Sequence, residues 1–587
     1  MRFIKKEMEK DNYPWYKYYI GVKKHLDYPE CSMYEMVLNT SKKYPSNIAY
    51  SYYGNKVTYH SFIRKIDEAA CAFIRMGVKK GDYVTIAMPN TPEALTCFYA
   101  LNKLGAICNM MHPLSSEEEF KYGINLVKSK YLMVADIAYQ KIKNVRKELT
   151  VEKILYAPVC ESMDPFMKIG YKLTAGRGAA KCDSDAIPYY RFIARAKFHK
   201  GKVKIASASD DVAVILHSGG TTGKPKGIEL TNKNMNSVVL SGIEMNKVIG
   251  PGNTLLGIMP IFHGFGLGIS YHSSFSCGGT TIMLPSVSPK TFDQTILKYK
   301  PNIIACVPSL LETLTSSKKM VDADLSFIKD VVVGGDALSG KLQNKLDEFL
   351  YDHGSEAHVT CAFGLTESSA GNAMIPKEKV KKESIGIPIP DCVIKIVDPN
   401  TNKELPYGEV GEIVINAPTV MKGYFNDKEE TDKVLKKHSD GKIWLHTGDL
   451  AYMDEDGFIF FKSRLKRMIV SSGYNIYPGQ IEEILNAHPY VKTSIAVGVP
   501  HPYKKEVVKV YIVLNDNIEL NSEVKKSIKS HCEKNIAKYA LPYAYGYRKE
   551  LPRTKVGKVA YRDLINSEDV EEWYIEMRLV IKYYHHL

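Results

Sequence analysis

Short apolar runs bounded by turn residues recur along the chain. Tyr83-Val84-Thr85-Ile86-Ala87-Met88, Val212-Ala213-Val214-Ile215-Leu216 and Val331-Val332-Val333 read as buried strands. Each is followed by turn residues and then a stretch with helical spacing. Pro92 to Leu104 is one such stretch, with Pro at its start and Gly105 closing it. Strands alternating with helices predict an α/β fold with largely parallel sheets. The rhythm breaks between about Pro158 and Val203, where Lys, Arg, Tyr and Gly accumulate, so an insertion or extended surface loop is expected there. A second boundary falls at Ser463 to Arg467. Beyond it the pattern predicts a helix over Gln480–Ala487, strands over Ser494–Val499 and Val507–Leu514, and a further helix. A large amino-terminal unit and a small carboxy-terminal α+β unit follow from this change of pattern.

Length and composition narrow the picture only slightly. At 587 residues the chain exceeds one ordinary core, so two or more units are expected. The 79 basic and 65 acidic residues leave a net charge of +14, which suits polyanionic ligands. No clustered basic and aromatic face supports a nucleic-acid site, so a solvated basic surface is the simpler account. The 11 cysteines are scattered and form no CxxC pair, which fits neither a disulfide framework nor a zinc site. The first ten residues lack the apolar core of a signal peptide. Asn102, Lys103, Asn109 and His112 interrupt the apolar stretch Phe98 to Leu114. A cytoplasmic enzyme is expected, with at most peripheral membrane contact.

Chemistry enters with His217-Ser218-Gly219-Gly220-Thr221-Thr222-Gly223-Lys224-Pro225-Lys226-Gly227, directly after a predicted strand. Glycines let the backbone approach phosphates, and Ser, Thr and Lys side chains donate to their oxygens. A flexible turn is the plain alternative for a lone loop of this kind. It is not a Walker A loop, because Pro225 follows Lys224 where Ser or Thr is required. Nor is Gly264-Phe265-Gly266-Leu267-Gly268 a dinucleotide fingerprint, because Ile269 stands in the third glycine's place.

Downstream partners appear in order. They are Pro260 to Gly264, Gly334-Gly335-Asp336-Ala337-Leu338, Phe363-Gly364-Leu365-Thr366-Glu367 and Thr447-Gly448-Asp449. Ser463 to Arg467, Gly473 to Pro478, and Pro552 to Lys558 follow. In this order the set resembles the adenylate-forming superfamily of acyl-CoA synthetases, amino-acid adenylation domains and luciferases, from about Thr40 to Arg562. The resemblance implies a large multi-sheet adenylation domain over 1–463, a hinge at 464–466 around Lys466, and a small mobile lid over 467–587. It assigns ATP or AMP to Ser218, Gly219, Gly220, Thr221, Thr222, Gly223, Lys226, Gly335, Asp336, Phe363, Gly364, Thr366, Asp449, Arg464 and Lys558. The acid pocket falls to His263, Gly264, Phe265 and Gly364, and the coenzyme A path to Gly473 and Tyr474.

The residue types suit those tasks. Carboxylate attack on an α-phosphate brings anions together, so positive charge is needed where they meet. Lys558 is assigned that catalytic role, with Thr366 donating to a phosphate oxygen. Glu367 is the expected Mg²⁺ ligand. Asp449 can accept from two vicinal ribose hydroxyls. A tail lysine, a helix-start glutamate and a turn-forming aspartate are the plain structural alternatives. The chain departs from the family pattern at Phe363, which replaces a tyrosine, at Ser463, and at Gly479-Gln480 in place of an acidic residue. None of these removes a charged catalytic group.

The expected function is an ATP-dependent acid:CoA ligase working through acyl-AMP, with ATP, Mg²⁺ and coenzyme A. Aryl-acid activation, loading of a carrier protein and a non-catalytic nucleotide binder are the alternatives. The stretch after His263 has no carboxylate to pair a substrate ammonium, which disfavours amino acids. Its glycines beside Phe265 and Leu267 suggest a groove for an alkyl chain, so a medium- to long-chain fatty acid is expected.

Overall fold

The computed structural model describes residues 12–217, 225–336, 338–377, 379–471, 474–553, 559–565, 567 and 572–573. By the density of their internal contacts the residues group into two compact units. One comprises 1–394 with 415–446, the other 395–414 with 447–587.

Two large sheets are formed by the described residues of the first unit. Among the described residues, one has eight strands in the order Gly423–Tyr424, Gly227–Thr231, Val212–His217, Ile107–Met110, Tyr83–Ala87, Tyr131–Val134, Lys153–Tyr156 and Ala186–Pro188. Pairing is parallel from Val212–His217 to the Ala186–Pro188 edge. At the other edge Val212–His217 and Gly227–Thr231 run antiparallel, with His217 opposite Gly227. The second sheet is parallel from Ile48–Tyr52 through Thr280–Met283, Thr254–Gly257, Ile303–Cys306 and Asp330–Val333 to Val359–Phe363. Strands buried on both faces carry continuous Val, Ile and Leu runs, which is why these segments stand out in the sequence.

Helix Pro92–Leu104 shows how closely local chemistry sets an element. The Thr91 hydroxyl accepts from the Ala94 amide at 3.3 Å, Pro92 occupies the first turn, and Gly105 ends the helix at φ 70°. All thirteen residues are buried, so the helix is covered on every side. Its one lysine, Lys103, is neutralised by Asp67 at 2.7 Å and lies 4.9 Å from the Tyr34 ring centre.

The segment 158–203 differs from the expected loop. It contains helices Pro165–Leu173 and Tyr189–Ala194, and its strand Ala186–Pro188 adds to the sheet edge beside Lys153–Tyr156. Scattered Lys, Arg and Gly hid this, although Phe192 is buried against Phe73 and the Tyr156, Tyr171 and Tyr139 hydroxyls tie the segment down.

In the second unit, Val491–His501 and Lys505–Leu514 form a long antiparallel pair. Ala544–Tyr547 adds in parallel to Lys505–Leu514. Helices Pro478–Asn486 and Ser522–Asn535 contribute Ile481, Leu485, Val524 and Ile528 to a core with Val508, Val510 and Ile512. The α+β pattern expected after residue 467 is the one observed.

Candidate active site

Ser218 to Lys224 lie outside the described residues, as do Ala337, Gly473 and Lys558. The phosphate-loop assignment to Ser218–Gly223 therefore rests on the sequence, but its two flanks are placed. His217 ends the strand before the loop, its Nε2 2.7 Å from Asn109 Oδ1. Burial pushes this imidazole down to about 4, so it is neutral at ordinary pH.

Lys226, on the far flank, sits 4.6 Å from the Tyr424 ring centre and pairs with Glu430. Lys226 and Lys433 together hold the Glu430 carboxyl down at about 2. The Tyr424 hydroxyl donates to Glu367 Oε1 at 3.1 Å. Burial and the Glu367 charge both raise the phenol, which keeps it protonated as that donor. A line of contacts thus runs from the loop's last lysine to the carboxylate expected to bind metal.

Glu367 stands in a short 3₁₀ turn, Thr366–Ser368, followed by Ser369 and Ala370 at φ 56° and 77°. Two consecutive non-glycine residues in the left-handed region store strain, and neighbouring contacts hold it. The Met421 amide donates to the Glu367 carbonyl at 2.8 Å. The Ser369 hydroxyl donates to the Thr419 carbonyl at 2.9 Å. Asn372 Nδ2 donates to Ser368 Oγ at 2.6 Å and to Thr419 Oγ1 at 3.1 Å.

This turn also gathers the expected acid-pocket residues. A Cβ on Gly364 would lie 2.1 Å from the Ala370 carbonyl oxygen, and one on Gly264 would lie 3.0 Å from the Ala370 Cβ. A Cβ on Gly334 would stand 3.7 Å from the Phe265 ring. Gly264, Phe265, Gly334, Gly364 and Ala370 therefore line one small region beside Thr366 and Glu367. Phe265 begins an eight-residue π-helix, Phe265–His272, a rare irregularity that is frequent at functional sites. Half-buried His263 has its ring 5.9 Å from that of Phe262, and Phe262 in turn lies 4.5 Å from the His112 ring. Gly335 turns the chain at φ 82°, and it and Asp336 are exposed. The Phe363 carbonyl accepts from the Asn372 amide at 2.8 Å.

A small cavity of about 30 Å³ lies behind the π-helix. Ile243, Leu255, Ile269, Val332 and Met374 line it, with Asn246 bonded to Asp330 in its wall. Burial raises the Asp330 carboxyl above the usual carboxylate range.

In the second unit, Asp449 and Arg464 are opposite one another on paired strands, with Arg464 Nε 2.8 Å from Asp449 Oδ1. Asp449 is 1% exposed. The Thr447 hydroxyl orders the turn before it, donating to the Ile413 carbonyl at 2.8 Å and accepting from the Asp449 amide at 3.0 Å. The Gly448 amide donates to Glu412 at 2.9 Å. Lys466 lies in the next turn, Leu465–Arg467, where Arg467 pairs with Glu482. Tyr474 begins the short strand Tyr474–Ile476, opposite Ser471.

Sequence reading missed Tyr424, Glu430 and Thr419. Nothing local marks them, because Tyr424 meets Glu367 and Glu430 meets Lys226 from far along the chain, and Thr419 holds the turn through Ser368, Ser369 and Asn372. A donor set fit for a protein-only metal cage is absent among the described residues. Glu367 instead fits the sparse pattern of Mg²⁺, one carboxylate with the remaining ligands from phosphates and water.

Residues 38–425 match the AMP-binding enzyme family, and 480–558 match the AMP-binding enzyme C-terminal domain. The chain is 31% identical over 562 residues to a long-chain-fatty-acid–CoA ligase of Bacillus subtilis, covering 94% of this chain and 98% of that protein. It is 29% identical over 518 residues to probable 4-coumarate–CoA ligase 1 of Dictyostelium discoideum, covering 86% and 89%. Among solved structures, ATP-bound MatB from Rhodopseudomonas palustris superposes with a TM-score of 0.79 at 22% identity. That match covers 92% of this chain and 98% of that one, a likeness of fold.

Proposed function

Because the chain belongs to the AMP-binding enzyme family of AMP-forming acid–CoA ligases, we propose that its acid is a medium- to long-chain fatty acid. ATP and the acid would form acyl-AMP and pyrophosphate, and coenzyme A would then take the acyl group as a thioester. One observation carries this reading. Gly264 of the acid-pocket segment and Gly364 of the Thr366–Glu367 turn both abut Ala370. An acid lying along the first would thus hold its carboxylate beside the groups that face phosphate.

Each residue then has a task. Thr366 donates to a phosphate oxygen, and Glu367, oriented by Tyr424, would hold Mg²⁺, whose charge offsets that of the phosphates. Asp449 accepts from the ribose hydroxyls, and Arg464, half exposed, is free to turn from Asp449 toward ribose or phosphate. Ser218 to Gly223 cradle the phosphates, Gly335, Asp336 and Phe363 flank the base, and Lys558 bridges acid and α-phosphate. For the second half-reaction, the chain pivots at 464–466, and Gly473 and Tyr474 border the pantetheine path.

The fatty-acid assignment is supported by the small, apolar Gly264–Gly268 segment and by the apolar walls of the cavity behind it. At about 30 Å³ that cavity admits an acyl chain only if Ile243, Ile269 or Met374 swings aside. Each buried methylene is worth about 0.8 kcal/mol, enough to offset such rearrangement as the chain lengthens. An aryl acid is the second reading, favoured by the similarity to a probable 4-coumarate–CoA ligase. ATP–pyrophosphate exchange over straight-chain acids, benzoate, a cinnamate and amino acids tests the assignment. A maximum at acetate or at an amino acid would overturn it.

A further inference from the structure

Helix Pro165–Leu173 presents the reverse of a soluble helix. Asp164 caps it, accepting from the Phe166 and Met167 amides at 2.9 and 3.0 Å. Its inward side is tied down by one hydroxyl, that of Tyr171, onto an aspartate that also holds the chain before the helix. The Tyr171 hydroxyl donates to Asp136 Oδ2 at 3.0 Å, Asp136 Oδ1 accepts from the Val159 amide at 3.1 Å, and the Tyr52 hydroxyl donates to the Val159 carbonyl at 2.6 Å. Its outward side is apolar. Phe166, Ile169 and Leu173 fall on one face by helical spacing and are 86%, 59% and 70% exposed. Three large apolar side chains aligned on one face of a capped helix mark an interaction surface rather than scattered exposure.

Charge identifies the partner. Lys168 and Lys172 lie on the flank of the same helix, and residues 158–204 carry ten Lys and Arg against four Asp and Glu. The segment also exposes Tyr190 and Phe198. No described helix is long and apolar enough to cross a membrane, and nine residues span only about 14 Å. We propose that helix Pro165–Leu173 lies flat on an anionic lipid bilayer, with Phe166, Ile169 and Leu173 in the acyl boundary and its basic surroundings against the headgroups. An apolar face within a cationic segment complements both layers of such a surface at once. One short helix and a diffuse charge give reversible binding rather than permanent anchoring. This docking is independent of which acid the site activates.

The test is sedimentation of the full chain with vesicles of phosphatidylcholine and phosphatidylserine, beside phosphatidylcholine alone. Wild type should bind the mixed vesicles, and binding should weaken with salt. Phe166→Ser/Ile169→Ser/Leu173→Ser should lower partitioning by roughly a hundredfold while thermal melting and adenylation stay near wild type. Lys168→Glu/Lys172→Glu should remove part of the salt-sensitive binding. Independently, Phe166→Trp should shift its emission to the blue on mixed vesicles and be quenched by brominated lipid. Absence of wild-type binding at low salt, or a triple variant that binds as well as wild type, would overturn the proposal. So would a wild-type dimer that the triple variant dissociates, since the face would then belong to a second copy of the chain.

Discussion

Asp449 and Arg464 are register partners on neighbouring antiparallel strands, and their side chains meet with Nε 2.8 Å from Oδ1. The carboxylate is buried and the guanidinium half exposed, so the pair has one fixed member and one movable member. That asymmetry suits a ribose site, because the acceptor stays in place while its cation can follow a ligand. Asp449→Asn keeps the shape and removes the charge. ATP–pyrophosphate exchange should fall by about a hundredfold or more. Arg464→Ala removes one cation from beside a buried carboxylate and should destabilise the chain by about 1–3 kcal/mol in denaturant melts, less than loss of a fully buried pair would. Unchanged exchange in Asp449→Asn would remove Asp449 from the nucleotide site.

The strained turn after Glu367 separates two glycine substitutions. Gly364→Ala would push a methyl to 2.1 Å from the Ala370 carbonyl, which is backbone held at positive φ. Gly264→Ala meets only the Ala370 methyl at 3.0 Å, which a few tenths of an ångström of movement relieves. Gly364→Ala should therefore lose several kcal/mol and most adenylation, and Gly264→Ala about 1 kcal/mol. Equal thermal shifts in the two variants would contradict this packing.

Much of this was legible in the chain itself. The bounds of Pro92–Leu104 follow from Thr91, Pro92 and Gly105, whose effects are local. The Asp449–Arg464 pair and the Thr366–Glu367 turn were visible as motif residues, because glycines and charges at fixed order stand out. The supports were not legible. Tyr424 reaches Glu367 from 57 positions away, and Lys226 meets Glu430 across 204. Such contacts depend on sheet pairing, here Gly423–Tyr424 against Gly227–Thr231, which no local pattern encodes. The helix at Pro165–Leu173 was obscured by the Lys, Arg and Gly residues around it, which read as a surface loop.

Acid should weaken the fold through two imidazoles, the buried His272 and the half-buried His217. Burial lowers His217 to about 4 and His272 to about 3, below the ordinary value of 6.5. Protons therefore bind more tightly to the unfolded chain. The stabilisation is complete above pH 6.5 and is lost as pH falls toward about 4 for His217 and about 3 for His272. For His217 the loss is on the order of 3 kcal/mol. His217→Gln should flatten the decline of denaturant stability between pH 6.5 and 4 relative to wild type. A decline of the same slope in both proteins would show that His217 does not titrate in that window.

The two half-reactions should respond to different variants. Lys558→Ala should cut adenylation by orders of magnitude, each tenfold corresponding to about 1.4 kcal/mol, while thioester formation from supplied acyl-AMP is far less affected. Lys466→Pro fixes φ within the turn Leu465–Arg467 and should spare adenylation while slowing thioester formation. Loss of only the first half-reaction in Lys466→Pro would exclude a pivot at this turn.

The central claim is that a carboxylate oxygen of the acid bonds to the α-phosphorus of ATP before coenzyme A takes the acyl group. It is tested most directly by turning over a long-chain fatty acid labelled with ¹⁸O in its carboxylate, with ATP and coenzyme A. Mass spectrometry then locates the label in the products. Attack at the α-phosphorus leaves one labelled oxygen in AMP, unlabelled pyrophosphate and one label in the acyl-CoA carbonyl, and that is the predicted result. Label in inorganic phosphate with ADP as co-product, or acyl-CoA formed without labelled AMP, would contradict it.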